Sequence, residues 1–215
     1  MVQVVIAARG GRKAKSRCAD ALDGHDRAGL VCVMLEDMLD AVARCAAVAQ
    51  AWVVTPTAEL AGIAAERGAK VVRQARPSGL NPALLQAVTE ISEHAPYAPI
   101  LMLPGDLPLL EPDDLAAAAL LVRTHAVVLA SALDGGTGLL ALRAGANLPP
   151  AFGSDSFWRH AMAAERRGLS VGLLATNSLS RDVDRPEDLI GVCEAGPDSR
   201  TAIFLRKRLQ PRIRS

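Results

Sequence analysis

Aromatic side chains are scarce in this chain of 215 residues, with three Phe, two Trp and one Tyr, so any sizeable core must be aliphatic. Charge of one sign is also lacking. The formal net charge is +1, which gives no electrostatic case for nucleic acid or a membrane surface as the main partner. The exception is Arg200 to Arg214, with Arg206, Lys207, Arg208, Arg212 and Arg214. This stretch reads as a solvated, partly disordered basic tail, with a phosphate-binding or interface role as the sharper alternative. Cysteine is sparse: Cys18, Cys32, Cys45 and Cys193 have no metal-finger spacing and follow no secretory segment. Cys32 and Cys45 are expected as buried thiols of a reduced, cytoplasmic protein. No apolar run reaches the ~18 residues a membrane span needs.

What is present is an apolar half and a regular alternation. Buried strands are expected at 2–8, 51–55, 70–73 and 99–103. Helical periodicity falls at 27–47, 58–67, 81–93 and 112–124. Strand–helix repetition of this kind argues for an α/β fold whose mostly parallel sheet is covered on both faces. The rhythm then changes. Residues 126–132 and 139–143 flank Asp134-Gly135-Gly136-Thr137-Gly138, which reads as a hairpin or a return connection and would make the sheet mixed. A helix (156–167), a strand (170–175) and a helix opened by Pro186 follow. The expected organisation is a single domain over 1–195, then the basic tail over 196–215.

The chemistry concentrates in acids. Asp182 and Asp184, two apart on an extended segment, would point to one side. At about 4 Å they would repel by roughly 4 kcal/mol at an effective dielectric near 20. A fold keeps such a pair where a divalent cation sits between them or water screens them. Asp106 follows the apolar run 99–103, at the carboxyl end of a strand where open α/β sheets bind ligands. Three such acids suggest a hard-metal site serving phosphates.

The remaining motifs each carry two readings. Arg9 to Arg17 follows the first strand; it is either a solvated basic loop or a Gly-containing loop for phosphates, with neither dinucleotide nor Walker spacing. Asn81, before Pro82, suits a helix N-cap, or it contacts a base that Gly79 lets approach. The Gly135–Gly138 turn is a flexible loop or an anion nest using Thr137. Gly153-Ser154-Asp155-Ser156 opens a helix; Ser154 or Asp155 caps it, or its amides take a phosphate. His160 reads as a packing or supporting residue, and His25, His94 and His125 as surface residues. The acids at 111, 113 and 114 are helix N-terminal charges. No arrangement for covalent catalysis stands out.

Taken together, these residues resemble one family. Lys13 to Arg17, Gly79-Leu80-Asn81, Pro104 to Leu109, Gly136-Thr137, Phe152-Gly153 through Ser156-Phe157 and His160, and Asp182-Val183-Asp184 with Pro186 to Leu189 occur in the order found in the 2-phospho-L-lactate/phosphoenolpyruvate guanylyltransferases. Those enzymes, some of which use 3-phosphoglycerate, make the phosphodiester precursor of the deazaflavin coenzyme F-420. The resemblance implies a three-layer α/β/α sandwich of the nucleotide-diphospho-sugar transferase, Rossmann-like type. It implies Mg²⁺ on Asp106, Asp182 and Asp184, and GTP along Arg9, Gly10, Lys15, Gly79, Asn81 and Pro104. A small phospho-acid would lie at Thr137, Gly138, Gly153 and Ser156, in a protein compatible with a homodimer. The chain departs from the family at Ala7 and Arg9, where Pro and Lys are usual, at Cys18 for Leu, and at Gly138 for Thr or Asn. Two alternatives stand beside this reading: a related enzyme acting on a molybdopterin or sugar phosphate, and a non-catalytic nucleotide-binding paralogue.

Overall fold

Along the first strand, β1 (Val2–Ala7), alternate side chains enter different cores. Val2, Val4 and Ile6 face one, Val5 and Ala7 the other, as a period of two requires. The same split recurs at β4 (Ile100–Pro104), where Leu101 and Leu103 oppose Ile100 and Met102. These strands are therefore buried on both faces, and helices must cover both. The computed structural model describes residues 1–76 and 78–209.

The other strands are β2 (Val48–Thr55), β3 (Lys70–Arg73), β5 (Val127–Ser131), β6 (Thr137–Leu142) and β7 (Val171–Leu174), and the sheet order is β3-β2-β1-β4-β6-β5-β7. β6 pairs antiparallel with both β4 and β5, while the remaining pairings are parallel. The Gly-rich turn is thus a hairpin, and the sheet is mixed. The chain runs outward from β1 to β2 and β3, then returns to place β4 on the other side of β1. This reversal opens a crevice at the carboxyl ends of β1 and β4.

One face is covered by α1 (Gly24–Arg44), α2 (Ala58–Glu66), α4 (Pro112–Leu121), α7 (Pro186–Ala195) and α8 (Arg200–Leu209). The other carries α3 (Leu80–His94) and α5 (Ser156–Glu165). A short α6 (Asn177–Ser180) follows β7. The result is three layers around an aliphatic interior. Each fully buried Leu or Met, such as Leu30, Met34 and Leu35 of α1, contributes about 1.5–3 kcal/mol by leaving water.

Several boundaries differ from the expectations. α1 starts at Gly24 rather than 27, because the Asp23 carboxylate accepts from the His25 and Asp26 N–H groups at 2.7 and 2.9 Å. It ends at Arg44, where Cys45 turns to extended backbone. The basic tail is a larger correction. Residues 200–209 form a helix on α1, with Thr201, Ala202 and Leu205 fully buried. Thr201 donates to Asp37 at 2.7 Å through its hydroxyl, and Arg200 meets Asp40 at 2.8 Å. Arg212 and Arg214 lie outside the described residues. The four cysteines are free thiols, with Cys18 and Cys45 buried and Cys32 half-buried.

Candidate active site

Lys15 stands at the centre of the crevice, in the loop between β1 and α1. Its backbone is left-handed, at φ 48° and ψ 44°, which costs a non-glycine residue about 1 kcal/mol. Neighbouring bonds hold it there: Ala14 N–H donates to Gly11 O and Cys18 N–H to Lys15 O, both at 2.9 Å. Arg27 on α1 clamps the same loop, donating to the Ala14, Leu22 and Arg12 carbonyls. The Lys15 ammonium meets Asp106 at 2.5 Å and Asp184 at 3.8 Å. Burial pulls its pKa down, but the charge and hydrogen bond of Asp106, helped by Asp184 and Asp182, more than reverse this and raise it overall.

Asp106 arrives from β4 through Gly105. A Cβ on Gly105 would lie 2.7 Å from the Ala7 carbonyl oxygen, so only glycine lets the β4 end come this close to the β1 end. Residues 182–184 are stitched alongside: Val183 N–H donates to Asp106 O at 3.0 Å, and the Val183 side chain is fully buried. With Val183 turned inward, Asp182 and Asp184 stay half-buried. Asp188 holds the segment from α7 by accepting from the Asp184 and Arg185 N–H groups. Arg17 pairs with Asp184.

The acids are crowded. Burial pushes the Asp182 pKa up to about 6, with Asp106 and Asp134 adding to it. One oxygen of Asp106, Oδ1, is buried without a partner among the described residues. No three His, Cys, Asp or Glu side chains among the described residues are pre-gathered as a metal cage; the acids instead surround Lys15. An unpaired carboxylate oxygen, hard oxygen donors and an excess of like charge nonetheless fit a hard divalent cation.

Beside the acids lies a cavity of about 440 Å³. Its apolar wall includes Ala7, Ala8, Val31, Val54, Leu80 and Ala83, and its polar rim includes Arg9, Lys13, Lys15, Gln74, Asp106 and Asp184. A smaller cavity of about 210 Å³ lies across Asp184, lined by Arg17, Asp134, Arg181, Asp182 and Arg185. A larger hollow, about 1130 Å³, is an open groove by α1 and α8 that reaches none of the three acids, so size alone is a poor guide here.

The third component is neutral and buried. Ser156 Oγ donates to Thr137 Oγ1 at 2.9 Å, and His160 Nδ1 sits 3.0 Å from the same oxygen. Ala151 N–H donates to His160 Nε2 at 2.8 Å. The hairpin carrying Thr137 is fastened to the acid segment: Leu133 N–H donates to Ser180 O, and Gly138 packs against the Leu179 carbonyl.

Comparison with known proteins gives this arrangement its family. A sequence profile described as "Guanylyl transferase CofC like" matches residues 2–211. The chain belongs to the CofC-like guanylyltransferase family. It is 50% identical over 208 residues to the 3-phospho-D-glycerate guanylyltransferase of Phenylobacterium zucineum, covering 95% of each chain. It is 37% identical over 183 residues to the phosphoenolpyruvate guanylyltransferase of Roseiflexus castenholzii, covering 85% of this chain and 83% of the relative. Its fold is similar to that of a putative nucleotide-diphospho-sugar transferase from Desulfovibrio desulfuricans G20 (TM-score 0.80, 20% identity, 96% and 95% covered). A nucleotidyl transferase from Methanothermobacter thermautotroptrophicus is similar as well (TM-score 0.66, 19% identity, 96% and 99% covered).

Within this CofC-like guanylyltransferase, Arg9, Lys15, Gly79, Pro104, Asp106 and Asp184 line the larger cavity. Gly10 and Asn81 do not. Gly10 packs toward Leu60 and Thr57 of the α2 region. Asn81 is not the N-cap of α3; Gly79 is, and Asn81 lies in the first turn. Its amide donates to Phe152 O at 3.0 Å and accepts from Phe152 N–H at 2.7 Å, so both polar ends serve the loop before Gly153. Asp155 occupies the N-cap of α5 with a left-handed backbone and no side-chain cap, contrary to the capping expectation. Asp114 does behave as a helix N-terminal acid, accepting from Glu111 N–H at 2.9 Å. Sequence reading missed Arg27, Gln74 and Asp134. Of these only Asp134, two residues before Gly136, carried a local signal, since its carboxylate accepts from Gly136 N–H at 2.7 Å.

Proposed function

We propose that this chain transfers a guanylyl group from GTP to the phosphate of a small three-carbon phospho-acid, with 3-phospho-D-glycerate the first candidate. An acceptor phosphate oxygen attacks the α-phosphorus of GTP, the bond to the bridging oxygen of pyrophosphate breaks, and a phosphoanhydride to GMP forms. The acceptor phosphate is already ionised near neutral pH, so no strong general base is needed. Positioning and charge neutralisation supply most of the rate. The observation that carries this reading is the meeting of Asp106 with Asp182 and Asp184 around Lys15, beside a cavity with a basic rim.

Lys15 and the loop around it would bind the triphosphate, and the wall formed by Leu80, Ala83 and Val54 would take the base. Asp106, Asp182 and Asp184 would hold Mg²⁺, which when bound supplies charge neutralisation to the phosphates. Thr137, Ser156 and the amides at the start of α5 would take the acceptor's phosphate. The identity of the relative at 50% favours 3-phospho-D-glycerate; the phosphoenolpyruvate guanylyltransferases supply the second candidate. The product is the kind of activated precursor used for coenzyme F-420.

The test is incubation with GTP or CTP, Mg²⁺ and each of 3-phospho-D-glycerate, phosphoenolpyruvate, 2-phospho-L-lactate, a molybdopterin phosphate and a sugar phosphate, read by mass spectrometry and pyrophosphate release. A guanylylated three-carbon acid is expected. Product only with a molybdopterin or sugar phosphate, or none with any acceptor, would overturn the reading.

A further inference from the structure

His160 is fully buried, yet neither packing alone nor proton transfer accounts for its contacts. Ala151 N–H can only donate, so Nε2 must accept and carry no proton. Burial, with a smaller effect from Arg159, lowers the His160 pKa to about 4, so the ring is neutral at physiological pH. A neutral ring with a bare Nε2 carries its proton on Nδ1, which therefore donates to Thr137 Oγ1. Ser156 Oγ donates to the same oxygen. Both acceptor positions of the Thr137 hydroxyl are thus filled from within the protein. What remains is its own proton, which has no acceptor among the described residues although Thr137 is only 5% exposed.

We infer that His160 is a positioning residue for the acceptor: by donating from Nδ1 it fixes Thr137 as a double hydrogen-bond acceptor and reserves the Thr137 proton for the acceptor's phosphate. This rests on the guanylyl-transfer reading above and adds to it the group that orients the acceptor contact. The Thr137 hydroxyl left alone could rotate and donate to Ser156 or to the imidazole, losing that polarity. With Nδ1–H and the Ser156 proton both aimed at it, neither alternative is open. Phe152 meets the His160 ring edge to face at 5.3 Å and Ala151 holds its far nitrogen. Asn81 fixes Phe152 in turn. The imidazole thus has one orientation, set by a chain of contacts that begins beside the nucleotide cavity.

The experiment compares His160→Asn, whose amide can replace the Nδ1–H donor, with His160→Gln, whose amide reaches toward the Nε2 position instead. Thr137→Val, alone and combined with His160→Gln, completes a double-mutant cycle. Steady-state kinetics with 3-phospho-D-glycerate and GTP are measured after circular dichroism shows each variant folded, and ¹⁵N spectra of the wild type report the tautomer. The expected result is a protonated Nδ1 and an acceptor KM about tenfold higher in His160→Gln, the size of one lost hydrogen bond. The KM for GTP should not move, and His160→Asn should stay within about threefold of wild type. Thr137→Val should raise the acceptor KM similarly, and the double variant should be no worse than either single one. A protonated Nε2, an unchanged acceptor KM in His160→Gln, equal damage from Asn and Gln, or additive losses in the cycle would each overturn the inference. A wild type that turns over no phospho-acid overturns the guanylyl-transfer reading and this inference together. A wild type active beside an unaffected His160→Gln overturns this inference alone.

Discussion

Around Lys15 the side chains that meet are charged and only partly buried, whereas around Thr137 they are neutral and closed off from water. The two clusters lie on neighbouring segments, joined where Leu133 N–H bonds Ser180 O. The charged one has an unpaired carboxylate oxygen and an acid pushed up to about pKa 6. In the neutral one, every side chain of Thr137, Ser156 and His160 has a protein partner. Charges that must receive a polyphosphate cannot be fully satisfied beforehand, because the ligand would then have to displace the partners. A small acceptor gains most from donors fixed in advance, since little binding energy is available to organise them. An open carboxylate oxygen on one side, and a fixed neutral cluster with only the Thr137 proton unused on the other, are what a cleft for two phosphate-bearing substrates of different size would need.

The largest effect expected from breaking this contrast is on turnover. Asp182→Asn keeps the shape and removes one charge. Activity should fall by about 10²–10³-fold, the usual cost of removing one preorganised electrostatic contact. The melting temperature should hold or rise, because burial and the charges of Asp106 and Asp134 disfavour the Asp182 carboxylate in the fold. Pyrophosphate release and thermal melts measure both. Near-normal turnover with Mg²⁺ would remove the charged cluster from the reaction.

Gly138→Ala tests the join between the clusters. A Cβ there would fall 1.8 Å from the Leu179 carbonyl oxygen, so the hairpin or the 179–182 segment must move. The expected cost is about 3 kcal/mol of stability, at the upper end of ordinary overpacking. Chemical denaturation measures it, and a loss below about 1 kcal/mol would mean the two segments are not rigidly coupled. This contact also bears on Gly138 standing where the family usually has Thr or Asn: this fold has no room there for a side chain.

The neutral cluster should reveal itself through pH. The His160 pKa is lowered from 6.5 to about 4 in the fold. Above pH 6.5 the ring is neutral in both states and contributes nothing. As pH falls from 6.5 to 4, the unfolded chain takes up a proton that the folded chain refuses, so stability falls. The full shift corresponds to about 3 kcal/mol, and below pH 4 the loss no longer grows. Asp182, with its raised pKa, works in the opposite direction over part of this window. The measurement is therefore the difference between wild type and His160→Asn, which share Asp182. Parallel pH profiles of unfolding free energy would show that His160 is not buried neutral.

The strand–helix alternation and the place of Asp106 at a strand end were legible because they follow from local patterns, whereas the strand order was not. Runs such as 2–7 and 100–104 are apolar and bounded by turns, and an Asp just past a strand end points into the crevice. Asn81 was misread because Asn before Pro is a strong local cap signal, while its real partner, Phe152, is 71 residues away. The same distance problem hid the contact between Gly138 and Leu179, whereas the Arg27 clamp was hidden because its partners are backbone carbonyls, which no side-chain pattern marks. α8 was read as a tail because its basic residues dominate the composition, although Thr201, Ala202 and Leu205 repeat at helical spacing on one side. Gly29 on α1 completes that docking, with the Phe204 ring 3.0 Å from where its Cβ would be.

The smallest expected effect is also the sharpest check on the contrast between clusters. Arg17 pairs with Asp184, but its side chain is 65% exposed. Exposed ion pairs contribute about 0.2–1 kcal/mol and weaken with salt. Arg17→Ala should therefore change unfolding free energy by well under 1 kcal/mol, and the difference should vanish in high salt. Ser156→Ala, which removes a buried donor and leaves Thr137 with one partner fewer, should cost about 1–2 kcal/mol at any salt concentration. If Arg17→Ala proved the costlier of the two, and remained so in high salt, the charged cluster would be holding the fold together. The division between a neutral cluster held by the protein and a charged cluster left open would then fail.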